Sequence, residues 1–237
     1  MTSDGQLRFR NLDPTRQCRA RLACVTPAEM PTQYFDAFSE SLTPSIGVLA
    51  IQFSPGLGRL PGTVEDVITA LLPWTDRPLA VYGHGAGAVL AYGVAVRLEL
   101  ARVAPVALVL GGLEALGPTL GVRAADSHQP SCATLNCPVT VLVGDAGTAV
   151  AAAASEWAGC TQHRFDLLAA PRRGHSGSGP TAAVVNEISD CFISAGVLDD
   201  GDAVPEPIAQ VRDVAAGLPA AWNHPSADRH RSTTTQP

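Results

Sequence analysis

Six apolar runs stand out along the chain: "RLACVT", "IGVLAIQF", "PLAVYG", "APVALVLGG", "CPVTVLVGD" and "RFDLLAA". They are short and rich in Val, Leu and Ala, with turn or polar residues around them, as expected of strands buried on both faces. Between them lie stretches whose apolar positions recur at helical spacing: "YFDAFSESL", "TVEDVITALLPW", "AVLAYGVAVRLEL", "AVAAAASEWAGC" and "TAAVVNEISDCFISAG". Strands alternating with helices predict an α/β fold, a mostly parallel sheet covered by helices on both faces. No internal repeat is visible. After Leu198 the pattern changes: "DDGDAVPEP" is acidic and Pro-bearing, "IAQVRDVAAGLPAAW" has room for one further helix, and "NHPSADRHRSTTTQP" is polar. The expected organisation is an N-terminal extension over 1–20, one α/β domain over 21–198, and a partly disordered tail over 199–237.

Composition narrows the function classes. The 237 residues suffice for one domain with a sizeable core. A net charge of −6 and a pI near 5.4 give no electrostatic case for nucleic acid or an anionic membrane. All 16 basic residues are Arg. The six cysteines (Cys18, Cys24, Cys132, Cys137, Cys160 and Cys191) are scattered, with no C-x-x-C and no paired Cys/His spacing, so no metal site is expected. The N-terminus lacks the apolar core of a signal peptide, and no apolar run reaches about 18 residues, so a cytoplasmic location with reduced thiols is the expectation.

The stretch "PLAVYGHGAGAVLAYGVAVRLE", Pro78 to Glu99, reads as a buried strand, a tight turn at Gly83-His84-Gly85-Ala86-Gly87, and a helix. The helix would point its first amides at the turn, an arrangement that favours negative charge. The turn fits a dinucleotide fingerprint poorly. The third Gly of G-x-G-x-x-G falls on Ala88, and no convincing acid follows about 20 residues on, so no cofactor is expected.

Five blocks, in order, resemble the type II thioesterases of polyketide and nonribosomal peptide assembly lines. "RLACVTPAEMPTQYFDAF" is similar to that family's L-F-C-F-P-H-A-G-G-x-x-x-Y-F, and "VLAIQFSPGLGRL" to V-Q-Y-P-G-R-x-x-R. The Pro78–Glu99 stretch is similar to P-[FY]-x-[LF]-F-G-H-S-M-G-A-x-x-A-[FY]-E-x-A-R-x-L. "LNCPVTVLVGDAGTAV" is similar to C-P-[VI]-x-x-x-G-G-x-x-D-P-x-V, and "EWAGCTQHRFDLLAAPRRGHSGS" to W-x-x-x-T-x-x-x-F-x-x-x-x-x-x-G-G-H-F-F. The blocks cover Arg21 to about Gly196. The resemblance implies an α/β-hydrolase-like fold whose strand–turn–helix is a nucleophile elbow. It further implies Ala28, His84, Gly85 and Ala86 at the substrate, and a small-molecule or carrier-bound intermediate as ligand, with the carrier protein a possible partner.

The chain departs from that pattern where the chemistry lies. The nucleophile position holds Gly85, which can form no acyl-enzyme. The position of the orienting Asp falls on Gly147, leaving Asp145 as the one acid of that turn. The base position keeps His175. The oxyanion loop reads Pro27-Ala28-Glu29-Met30, with Pro lacking a donor and Glu adding negative charge. The helical lid is strongly shortened, with only residues 112–136 filling its place. Three readings stay open. One is an acid/base enzyme with His175 as base and Asp145 as orienter, serving cyclisation, elimination or isomerisation of a pathway intermediate. Another is a catalytically inactive scaffold or binding module. The third is a thioesterase with another nucleophile, for which Ser176 in Gly174-His175-Ser176 is the candidate, although Ser178 stands where an elbow needs Gly.

Overall fold

Alternation along the strands divides their side chains between two apolar layers. In the computed structural model, which describes residues 7–13, 17–54, 60–113, 134–144, 156–169 and 182–199, the strands form a seven-stranded sheet. In chain order they are β1 (Arg8–Asn11), β2 (Ala20–Pro27), β3 (Ile46–Phe53), β4 (Leu79–His84), β5 (Leu108–Gly111), β6 (Val139–Val143) and β7 (Phe165–Ala169). The helices are α1 (Thr32–Leu42), α2 (Leu60–Leu71), α3 (Gly87–Leu100) and α4 (Ala182–Ser194). The spatial order is β1-β3-β2-β4-β5-β6-β7, with β1 antiparallel and all other pairs parallel.

One layer joins Ala23, Val25, Leu49, Ile51, Val81 and Leu110 to α2 and α3; the other joins Leu22, Cys24, Val48, Ala50, Ala80 and Tyr82 to α1 and α4. The predicted parallel sheet with helices on both faces is what the chain forms. α1 buries Tyr34, Phe35, Phe38 and Leu42, a stripe at helical spacing. α3 is buried on nearly every side, as a helix apolar all round must be.

β1 lies within the stretch read from sequence as an N-terminal extension, and there it forms the edge of the sheet along β3. Its alternating Arg8-Phe9-Arg10-Asn11 exposes both Arg residues, while Phe9 stacks 5.9 Å from Trp74. Four residues with two charges give too weak an apolar signal to be read as a strand. The expected helix at "AVAAAASEWAGC" appears, within the described residues, only as a short 3₁₀ turn over Glu156–Cys160. Residues 114–133, most of the stretch expected to be a shortened lid, and the tail beyond Asp199 lie outside the described residues.

At the amino end of the sheet, buried Arg21 donates to the Trp74 carbonyl at 2.7 Å, pairs with Asp76 and lies 5.2 Å over the Trp74 ring. That contact holds the Asp76 carboxyl below its ordinary range. The described cysteines are all free and buried. Burial raises the Cys24 and Cys191 thiols and pushes Cys137 up to about 12. Among the described residues no helix is long and apolar enough to cross a membrane, and no group of acids, His and Cys could hold a metal ion.

Candidate active site at the strand–helix elbow

The chain leaves β2 for α1 on one face of the sheet and leaves the adjacent β4 for α3 on the other. Connections that diverge in this way open a crevice at the carboxyl ends of the two strands, the usual ligand position of an open α/β sheet. The residues at that edge are Thr26 to Met30 at the end of β2 and His84 to Gly87 at the end of β4, so Ala28, His84, Gly85 and Ala86 come to one end of the sheet.

The turn is a true elbow. Gly85 is buried at φ +56°, the left-handed region, and its amide donates to the Gly111 carbonyl at 2.9 Å. Its own carbonyl accepts from the Ala88 amide at 2.9 Å, carrying the chain into α3. The flanking glycines are required by close approach. A Cβ on Gly83 would lie 2.6 Å from the Ala91 Cβ, and one on Gly87 would lie 2.1 Å from the Val25 carbonyl oxygen. Gly85 differs: no described atom lies within 4 Å of where its Cβ would stand. The left-handed backbone and the space for a side chain are both present, and the side chain is not.

The loop after β2 is closed on itself. The Ala28 amide donates to the Phe53 carbonyl at 2.8 Å and the Met30 amide to the Pro27 carbonyl at 3.1 Å. Gln52, buried in β3, donates from Nε2 to the Met30 carbonyl at 2.8 Å. Ala28 therefore sits at the crevice with its amide engaged by β3, and Glu29 is exposed at the tip of the turn.

Beneath the elbow runs a polar chain that the sequence reading did not single out. The Tyr34 and Tyr82 hydroxyls are 2.9 Å apart, and Tyr82 Oη is 3.0 Å from Nδ1 of His84. Both tyrosines are buried and His84 is half-buried. Burial raises the Tyr34 phenol, partly offset by its bond to Tyr82, so it stays protonated. The signal was available in period 2: Tyr82 and His84 fall on one face of β4, and that face meets α1. The imidazole lies over Gly112, where a Cβ would be 2.6 Å from its Cε1; Gly112 has φ +66°. His175, Asp145, Gly147, Ser176 and Ser178 lie outside the described residues.

Residues 20–170 match the family described as "Thioesterase domain". The chain belongs to the thioesterase domain family. Among curated members, Thioesterase PikA5 of Streptomyces venezuelae is 26% identical over 282 residues, covering 94% of this chain and 97% of that protein. That alignment is longer than the 237 residues of this chain, so the relative carries stretches with no counterpart here. The "Probable cadicidin biosynthesis thioesterase" of Streptomyces griseus is 31% identical over 112 residues, covering 44% of this chain and 31% of that protein. Among solved structures of the same fold, RedJ, a thioesterase from the prodiginine biosynthetic pathway in Streptomyces coelicolor, superposes with a TM-score of 0.57 at 20% identity, covering 74% of this chain and 87% of its own. BorB, the type II thioesterase from the borrelidin biosynthetic cluster, superposes with a TM-score of 0.54 at 20% identity, covering 84% and 98%.

Proposed function

We propose that this thioesterase-family protein serves a polyketide or nonribosomal peptide pathway without serine-dependent hydrolysis. It binds a small-molecule or carrier-borne intermediate at the crevice above the elbow and processes it by proton transfer. Gly85 carries the reading. The elbow keeps the left-handed backbone of a nucleophile turn, yet its central residue has no atom with which to form an acyl bond. In subtilisin, loss of the serine alone costs about 10⁶ in rate. His175 is the base of the proposed chemistry and Asp145 its orienter. Proton transfer by one positioned group contributes about 10²–10⁴-fold, which fits cyclisation, elimination or isomerisation of an already reactive intermediate. The pathway assignment rests on the names of the relatives; the protein works in the cytoplasm under this reading.

A second reading, a non-catalytic binding module for a carrier protein or a partner enzyme, draws support from the Ala28 amide. Bonded to Phe53, it is no oxyanion donor in this arrangement. Two experiments separate the readings. Incubation with a fluorophosphonate and with octanoyl-N-acetylcysteamine should give neither a covalent adduct nor turnover; an adduct at Ser176 would restore the hydrolytic interpretation. In the producing strain, deletion should abolish the pathway product. His175→Ala should do the same if the protein is an enzyme and leave titre unchanged if it is a binding module.

A further inference from the structure

β3 reads Ile-Gly-Val-Leu-Ala-Ile-Gln-Phe, and all eight residues are buried. Gln52 is the one polar side chain in that run and is 5% exposed. Burying a side-chain amide is unfavourable unless its groups are bonded, so the partner of its N–H matters. That partner lies outside the sheet. Nε2 donates to the Met30 carbonyl, 2.8 Å away in the loop that leads from β2 to α1.

Two successive residues of β3 fasten this loop. In the parallel register Pro27 lies beside Phe53, and the bond from the Ala28 amide to the Phe53 carbonyl, at 2.8 Å, is the last rung of the β2–β3 ladder. A terminal rung opens at little cost unless the chain beyond it is held. The Pro27–Ala28 peptide is a rigid plane whose N–H and C=O point opposite ways. Its N–H makes that rung, and its C=O accepts from the Met30 amide at 3.1 Å. Turning the plane towards the crevice breaks both bonds together and releases the turn at Met30. Gln52 holds Met30 by its carbonyl, and through Met30 it holds the plane.

We infer that Gln52 is a positioning residue of the crevice: by holding Met30 it keeps the Ala28 amide turned onto Phe53, and the amide reaches a ligand's carbonyl oxygen only when that hold is given up. The inference rests on the acyl-binding reading above and specifies which ligand it suits. The loop has two arrangements, one with the donor spent on the sheet and one with it spent on the ligand. A ligand shifts such a balance by no more than its difference in affinity for the two. An oxygen that carries negative charge is a stronger acceptor than the neutral Phe53 carbonyl, whereas a resting thioester oxygen is not. The crevice therefore favours an acyl intermediate with enolate character over a neutral thioester.

The test uses the whole protein, labelled with ¹⁵N, and octanoyl-N-acetylcysteamine as the probe. Gln52→Met keeps the length of the side chain and removes its donor. In hydrogen exchange the Ala28 amide should lose protection about 2- to 10-fold in Gln52→Met, as for one neutral hydrogen bond, while the Cys24 amide inside β2 keeps its own. Unchanged protection at Ala28 overturns the hold. An equal loss at Cys24 overturns it as well, because Gln52 would then stabilise the sheet at large. Gln52→Met should bind the probe about 2- to 10-fold more tightly than the wild type, and Ala28→Pro added to it, which removes the amide, should cancel the gain. An unchanged affinity, or a gain that survives Ala28→Pro, overturns the gating role. In the wild type, saturation with the probe should shift the Ala28 amide resonance; an unmoved resonance overturns the gating role without recourse to a variant. Absence of binding by wild type and Gln52→Met alike overturns the acyl-binding reading, and exchange at Ala28 still decides the hold.

Discussion

Replacing each glycine of the elbow by alanine in turn tests whether the three are there for different reasons. At Gly85 the cost is conformational. A Cβ meets no described atom within 4 Å, but the backbone sits at φ +56°. Left-handed backbone costs an L-residue about 1–2 kcal/mol, and losing glycine's freedom in the unfolded chain returns roughly 0.4–1 kcal/mol. The net loss is about 1 kcal/mol, or roughly 2–4 °C in Tm for a protein of this size. At Gly83 the Cβ would stand 2.6 Å from the Ala91 Cβ and 2.7 Å from the Ala88 Cα, so α3 must lift off β4. Overpacking of that kind costs about 1–3 kcal/mol or more. At Gly87 the clash is with backbone, the Val25 carbonyl oxygen at 2.1 Å, which has no rotamer to change. Gly87→Ala should be the most damaging, beyond about 3 kcal/mol, and should accumulate as insoluble protein. Differential scanning calorimetry of the purified variants, with soluble yield for those that fail to purify, gives the order Gly85 < Gly83 < Gly87. A Gly85→Ala variant as impaired as Gly87→Ala would refute the argument that position 85 is open.

Gly85→Ser should fold and still fail to hydrolyse octanoyl-N-acetylcysteamine, because Ala28 gives its amide to Phe53 and, under the proposed reading, the orienting Asp is replaced by Gly147; steady turnover would mean that Asp145 orients His175 well enough. Glu187 predicts a pH effect. Its carboxyl, buried in α4 and accepting from the Thr140 hydroxyl at 2.8 Å, is raised chiefly by burial. A raised folded-state value means the native protein holds that proton more tightly, so the stabilisation is complete below the unfolded pKa and is lost as pH rises through the folded one. Glu187→Gln keeps an acceptor for Thr140 and cannot ionise, so its Tm should gain on the wild type as pH goes from 4 to 8. A Tm difference independent of pH would exclude burial of a charge as the cause.

The layers were legible in the sequence because a parallel sheet covered on both faces needs continuous apolar strands, and six of the seven carry that signal. β1 was not, since an antiparallel edge strand buries one side only and its Arg8 and Arg10 stay in solvent. The backbone of the elbow was legible from Gly83, Gly85 and Gly87, although sequence could not tell the two glycines required by contact from the one required only by φ. The Ala28–Phe53 bond escaped because it joins backbone atoms, which every residue type possesses. The tyrosine chain escaped because Tyr34 and Tyr82 are 48 residues apart and each reads alone as core. His175 and Asp145, the residues on which the acid/base proposal depends, rest on the family pattern.

The buried thiols have a bearing on how the protein ages and how it can be followed. Cys18, Cys24, Cys137, Cys160 and Cys191 are each under a tenth exposed and lie on both faces of the sheet or at its margins. A sulfur that is neither ionised nor reachable is slow to oxidise or alkylate, so damage awaits an opening of the fold. Because the five sit in different elements, the order in which they become reactive records which layer parts first.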